Sequence, residues 1–369
     1  MQTALRITDY SRLERTLFAR PSVLNLEAIV VGAGALGNEV VKALGLLGVH
    51  AVFLVDPDHV RPSDLSRSVF FRDTDCIGRS KAATVAETAQ RWFPDTGFEA
   101  LECEIADVGY GKLLGKQILF SCVDNDLARL EIACIATALG LAVCDAGLGT
   151  PNYSHGRVSW FPGGAGACFG CRLTERKRRE LLTFWDATVR PCSNPVEAEV
   201  APSTPTMASI TGSLQVELGL RWLTEKVLES TTFELSLDAE PRSSQFTSPR
   251  SRSCPFHDEI AAPRVDLPNP DATFEDLLQS VGGDASVILD WPIILRLRCL
   301  DCSTEWAPMR RAAAVRRHCI CPGCGSQSIL EQESIRIIER DSRWARVRPS
   351  ALGLPADHRY LVRFRNGGR

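Results

Sequence analysis

AIVVGAGALG, residues 28–37, decides how the rest of this chain is read. Its apolar start, Ala28 to Val31, suits a buried strand, and Gly32, Gly34 and Gly37 follow at once. The next stretch, Asn38–Leu47, has a helical pattern. A glycine-rich turn between a buried strand and a helix seats a phosphate. Backbone N–H groups approach the anion without a Cβ in the way, and the helix N-terminus adds favourable dipole charge. NAD dehydrogenases carry the same spacing, so the glycines announce a nucleotide without choosing its chemistry.

The polar residues downstream choose it. VFLVDPDHV places Asp56 at the end of the second strand, about 20 residues past the glycines, where an acid hydrogen-bonds a ribose hydroxyl. Asp58 follows two residues on. SDLSRS and GRSK then supply Arg67 and Lys81, two cations suited to a polyphosphate. SCVDND places Asp124 at the carboxyl end of a later strand, facing the ligand crevice of a parallel sheet. Two cations for phosphates and an acid for magnesium suit ATP better than NAD.

Working outward, apolar runs alternate with helical patterns from Glu27 to about Trp160, which predicts a Rossmann-like, mainly parallel α/β sheet with helices on both faces. The expected strands are AIVVG, AVFLVD, a piece within Phe98–Glu104, ILFSCVD, LAVCDAG and VSWF. Helices are expected at Asn38–Leu47, Ala82–Phe93, Ala128–Leu139 and Ala208–Leu228. Residues 174–207 read as a long crossover loop. Three parts result: an N-terminal helical segment 1–27, a nucleotide-binding domain 28–263, and a small C-terminal zinc-ribbon module 264–369. RSSQFTSPRSRSCPFHD and PRVDLPNPD lead to the boundary.

Composition narrows the function classes. A net charge of -3 gives no global basic field, which argues against nucleic acid as a partner. No apolar run reaches the roughly 18 residues of a membrane span, and the N-terminus lacks a signal-peptide core. The chain therefore reads as cytoplasmic, and its 14 cysteines need a reason in a reducing compartment. Cys299-x-x-Cys302 and Cys321-x-x-Cys324, roughly 20 residues apart, have zinc-ribbon spacing, with PGCG forming the knuckle turn. His318 and Cys319 leave the third ligand open. Cys168-x-x-Cys171 lies in a glycine-rich loop, and Cys254 with His257 forms a CxxH far downstream.

The ordered set GAGALG, LVDPDHVRPSDLSRS, GRSK and CVDND resembles the adenylating domain of the ubiquitin-activating enzyme family, which includes bacterial activators of sulfur carriers. DYSR near the N-terminus, GACFGC, ITGSLQVE and SCPFH extend the resemblance over roughly residues 9–258. It implies ATP and Mg2+ as cofactors: Gly32, Gly34 and Gly37 as the nucleotide loop, Asp56 on the ribose, Arg67 and Lys81 on the phosphates, Asp124 on magnesium. It implies a homodimer in which Arg12 reaches the neighbouring site. It also pairs Cys168 and Cys171 with Cys254 and His257 as a structural zinc site, giving two Zn2+ sites with the ribbon. Departures are Asp9 for the first arginine of RYSR, Asp64 for an asparagine, Ser68 for a glutamine and His257 for a cysteine. Asp64 adds negative charge beside the phosphates, expected either to weaken ATP binding or to add a metal contact.

The reaction this implies is adenylation of the C-terminal glycine carboxylate of a ubiquitin-like or sulfur-carrier protein. Cys192, in VRPCSNP, is either the acceptor of the acyl group as a thioester or a loop cysteine without function. The added ribbon turns the expectation toward a bacterial ubiquitin-like pathway of the kind found in antiviral operons, with a conjugating enzyme as next partner. Sulfur-carrier adenylation in cofactor synthesis, adenylation of a peptide terminus, and an inactive adenylation-fold scaffold are the alternatives.

Overall fold

A short helix, α1 (Arg20–Leu24), leads into β1 (Glu27–Val31), where Ala28 to Val31 are buried on both faces. The glycine turn then opens α2 (Ala35–Leu47), which stops at Gly48 in the left-handed conformation. The alternation continues through β2 (Ala51–Val55), α3 (Lys81–Trp92), β3 (Gly97–Leu101), α4 (Tyr110–Leu113), β4 (Ile118–Ser121), α5 (Asp126–Leu139) and β5 (Ala142–Leu148). β6 (His155–Phe161), α6 (Phe169–Arg172), α7 (Glu175–Trp185), α8 (Pro205–Thr224), β7 (Ser230–Ser236) and β8 (Arg242–Ser248) follow. This computed structural model describes residues 8–13, 15–16, 18, 20–149, 152–164, 166–185, 203–257, 264–317 and 319–364. They fall into two compact units: the described residues of 8–108, 113–172 and 203–257, and those of 109–112, 173–185 and 264–364.

The first unit holds an eight-stranded sheet in the order β3-β2-β1-β4-β5-β6-β7-β8. Pairings are parallel from β3 to β5 and antiparallel from β5 to β8. Strand order reverses between β1 and β4, and such a switch point opens a ligand crevice at the carboxyl ends of the strands. The glycine turn lies there. Helices cover both faces of the central strands: α8 presses Gly219 onto Phe120 and Cys144, while Ile132 and Ala136 of α5 share the opposite side with Val143 and Asp145.

The expected strands and central helices form, with their ends displaced by a few residues. Two stretches differ. Part of the presumed crossover loop is α7, because ERKRRELL is a run of good helix formers. Residues 186–202, with Cys192, lie outside the described residues. RSSQFTS, expected as part of a polar connection, is β8, paired with β7 along its whole length. Its side chains are nearly all exposed, so the alternation that betrays a half-buried strand is missing.

In the second unit, β9 (Arg264–Asp266), α9 (Phe274–Val281), β10 (Ala285–Cys299), β11 (Glu305–Trp306), β12 (Arg310–Arg311), α10 (Ala312–Arg317), β13 (Ile329–Glu339) and β14 (Arg359–Phe364) build an antiparallel sheet. VILDW and IILRLRC are one 15-residue strand, β10. Pro292 sits where its register with β13 shifts between Ile288 and Ile293, the place a strand tolerates a missing donor. The ribbon cysteines thus cap a sheet with its own apolar core, around Phe274, Leu277, Ile293 and Tyr360. Among the described residues, no helix is long and apolar enough to cross a membrane.

Gln215 of α8 fastens helix to sheet in the first unit. It is fully buried, and its Nε2 donates to the carbonyls of Ser121 at 3.0 Å and Cys144 at 2.8 Å. Gln215→Leu keeps the volume but strips both carbonyls of their donor. Denaturant titration should show a loss of about 3 kcal/mol.

Candidate nucleotide site and metal centres

The turn after β1 admits only glycine at two of its three positions. Gly32 has φ +96°, and a Cβ there would meet the Cys122 carbonyl oxygen at 2.7 Å. A Cβ on Gly37 would come within 1.8 Å of the Gly32 carbonyl oxygen. These two therefore fix the turn against β4 and against itself. Gly34, the N-cap of α2, has nothing within 4 Å of a notional Cβ. Its backbone faces open space at a helix N-terminus, as an anion seat requires.

Asp56 holds this turn to the end of β2. The Ala33 N–H donates to one carboxylate oxygen at 2.6 Å and the Asp58 N–H to the other at 2.7 Å. Burial raises the Asp56 pKa, and the two N–H bonds oppose that shift. Each oxygen retains a lone pair for a ribose hydroxyl.

The two expected cations meet around a third residue. Asp64 is 4% exposed and accepts the Arg61 N–H at 3.0 Å. Lys81 Nζ lies 3.6 Å from Asp64 and 3.3 Å from Asp58, and Arg67 lies 3.5 Å from the other Asp64 oxygen. Lys81 is held in place because it is the first residue of α3, capped by Ser80, whose hydroxyl accepts the Ala83 N–H. Asp64 thus brackets Lys81 and Arg67. The buried Arg67 Nε has no hydrogen-bond partner among the described residues. An open glycine backbone, a fixed lysine and an arginine with a spare buried donor fit a polyphosphate.

Asp124 is exposed, three residues past β4. The loop that carries it touches the glycine turn, since a Cβ on Gly32 would lie 3.3 Å from the Val123 nitrogen. Arg12 is exposed on an N-terminal turn and has no hydrogen-bond or ion-pair partner among the described residues. Its neighbour Tyr10 is buried, donating to Asp95 at 3.2 Å.

The cysteines gather in two clusters. In the first, Cys168 Sγ lies 3.9 Å from Cys171 and 3.7 Å from Cys254, and Cys171 lies 3.3 Å from His257 Nε2. In the second, Cys299–Cys324 is 3.6 Å and Cys302–Cys321 is 3.5 Å. A tetrahedral zinc with bonds of about 2.3 Å sets its sulfurs about 3.8 Å apart, so both sets fit. Backbone N–H groups favour thiolates: Ser251 donates to Cys171 and Gly323 to Cys321. Hydrogen bonds from Cys168 and Cys254 pull the Cys171 pKa down. Cys319 instead packs with Ile294, Leu297 and Ile329. His318 lies outside the described residues. Arg250 lies 3.0 Å from His257 Nδ1. Zinc on Nε2 puts the proton on Nδ1, so Arg250 must then turn away, toward the Gly164 carbonyl 3.4 Å from its other nitrogen.

One buried group was missed from sequence. Asp145 of β5 bonds to Ser121 and Arg129 beside a small pocket under α5. An acid inside the apolar run LAVCDAG was the available signal, since carboxylates are rarely buried without a partner.

The fold is that of a nucleotide-binding α/β protein, and it carries two cysteine-rich clusters able to hold a metal ion. The ThiF family pattern matches residues 19–256, and the chain belongs to that family. It is 31% identical over 146 residues to the NEDD8-activating enzyme E1 catalytic subunit of Caenorhabditis elegans, covering 38% of this chain and 34% of that protein. It is 26% identical over 208 residues to ubiquitin-like modifier-activating enzyme 5 of Oryza sativa subsp. japonica, 53% of this chain and 47% of that one. The matched segment is thus less than half of either relative. E. coli MccB, solved with ATP, shares the fold with a TM-score of 0.50 and 15% identity over 64% of this chain and 67% of its own.

Elemental analysis of the purified chain should find two zinc ions, one per cluster. Cys299→Ser should lower the count to about one and lower the melting temperature, as loss of a folding-linked ion does.

Proposed function

We propose that this chain uses ATP and Mg2+ to adenylate the C-terminal carboxylate of a small protein of the ubiquitin-like or sulfur-carrier class. The observation that carries it is the meeting of Lys81 and Arg67 over buried Asp64 beside an open glycine turn. Family membership and relatives named as activating NEDD8 and ubiquitin-like modifiers support the substrate class.

Gly32, Gly34 and Gly37 cradle the phosphates, Asp56 orients the ribose, and Asp124 holds Mg2+, which neutralises phosphate charge when bound. A partner carboxylate oxygen attacks the α-phosphorus. An O–P bond forms, the bond from the α-phosphorus to the bridging oxygen breaks, and pyrophosphate leaves with that electron pair. Lys81 and Arg67 stabilise the growing charge on the leaving group. No general base is needed, because the carboxylate is ionised at neutral pH. Positioning supplies most of the remaining rate.

Arg12 completes the site of a second subunit in a homodimer; exposure without an internal partner supports that role. The acyl group then passes to Cys192 as a thioester, AMP leaving, and on to a conjugating enzyme. A cysteine in the sequence between α7 and α8, two positions after Arg190, supports this step.

Pyrophosphate exchange into ATP, dependent on a partner ending in Gly-Gly, tests the reading. Lys81→Ala should lower exchange about 100-fold. Exchange without partner dependence, or none with any such partner despite ATP binding, would contradict it. Mixing Arg12→Ala with Lys81→Ala protein should restore about a quarter of wild-type activity, because half the dimers regain one intact site. Cys192→Ala should abolish a reducible covalent adduct while sparing exchange.

A further inference from the structure

On the sheet face that carries α5, three guanidinium groups gather around one buried carboxylate. Asp145, 2% exposed, accepts from Ser121 Oγ at 2.6 Å and from Arg129 Nε at 3.1 Å. Its second oxygen is buried without a hydrogen-bond partner among the described residues, with Arg157 Nη2 still 3.7 Å away. The Arg157 Nε is buried and equally unmatched. Arg172 reaches the same face, donates to Ser159 Oγ, and lies 6.0 Å from the ring centre of Phe246. Burial, then the like charge of Arg157, lowers the Arg172 pKa to about 10.

The sheet register explains why these groups share one face. Gly147, Arg157 and Glu234 sit side by side across β5, β6 and β7, and Asp145, Ser159 and Thr232 form the next row. Gly147 leaves a gap between two cations: a Cβ there would lie 3.4 Å from both Arg129 Nη2 and Arg157 Nη2. Arg129 is already committed, donating to the carbonyls of Val123 at 2.7 Å and Ala146 at 3.2 Å. Arg129 also faces Asp126, 3.7 Å from its Nη1, so Asp126, Asp145 and Glu234 match the three cations in charge while the buried Arg157 Nε keeps a donor unused. Spare guanidinium donors in a half-buried setting are costly unless an anion takes them. Such donors match a carboxylate in planar, paired fashion.

We propose that Arg157 and Arg172 form a subsite for an acidic side chain in the C-terminal segment of the protein substrate. The subsite selects substrates with glutamate or aspartate just upstream of the terminal glycine. This rests on the adenylation reading, which brings that terminus to Asp124 beyond the end of β4. β6 lies two strands from β4, about 10 Å across the sheet, or about three residues of extended chain. Phe246, 42% exposed, offers an apolar flank for the same segment.

The test is equilibrium binding without ATP, so it reads the subsite apart from the chemistry. Fluorescein-labelled peptides ending in Gly-Gly, with glutamate or glutamine at successive upstream positions, are titrated with the full chain by anisotropy. At one position the glutamate peptide should bind wild type about tenfold tighter than its glutamine twin. Arg157→Gln and Arg172→Gln should each erase the preference and leave the glutamine peptide unaffected; Arg172→Lys should restore part of it. ATP binding by the same preparations confirms the fold. Equal affinities at every position, no binding of any glutamate peptide at about 1 mM, or a preference that survives in the double variant would overturn the proposal. Loss of pyrophosphate exchange with the preference intact would instead overturn the adenylation reading.

Discussion

A buried carboxylate clamping two backbone N–H groups is the constraint on which the site depends. Asp56 joins Ala33 in the glycine turn to Asp58 beyond β2, and the Gly32 N–H adds a bond to the Val55 carbonyl at 2.9 Å. The Lys81 N–H donates to the Asp58 carbonyl at 2.9 Å, so α3 starts from the same anchor. The glycine turn, Asp56 and Lys81 are thereby fixed by one short chain of bonds. Desolvating Asp56 opposes this arrangement and outweighs the rest, and its two charge-assisted hydrogen bonds offset part of the cost.

Asp64 shows how a residue changes meaning once its surroundings are known. On the linear chain it is an extra negative charge beside the phosphates. In the fold its oxygens face Arg61 N–H, Arg67 and Lys81, so its charge is compensated. It holds two cations that would otherwise repel each other. A resident acid between them also keeps both side chains ordered, which would lessen the entropy lost on binding an anion there.

Much of this was legible because the information is local. Ala28–Val31, Gly32 and Gly37 declare a strand and a turn within ten residues, and each CxxC declares half a metal site. The unread parts depend on distant pairing. β8 is exposed on both sides and exists because the edge of β7 needs a partner. Pro292 splits β10 into two apolar runs on paper, whereas β13 spans the break with a register shift. Asp145, Arg157 and Arg172 come from a buried strand, its neighbour and the short helix α6. The register of β5 and β6 brings the first two together, and the hydrogen bond of Arg172 to Ser159 adds the third.

Which phosphorus of ATP a partner's carboxylate attacks decides whether adenylation is the chemistry of this chain. The most direct measurement labels the C-terminal carboxylate of a Gly-Gly partner with heavy-isotope oxygen, lets the chain turn over with ATP and a thiol acceptor, and follows the label by mass spectrometry. Attack at the α-phosphorus leaves one labelled oxygen in the released AMP, which is the predicted result. Label in inorganic phosphate, with ADP released in place of AMP, would show attack at the γ-phosphorus and would contradict adenylation.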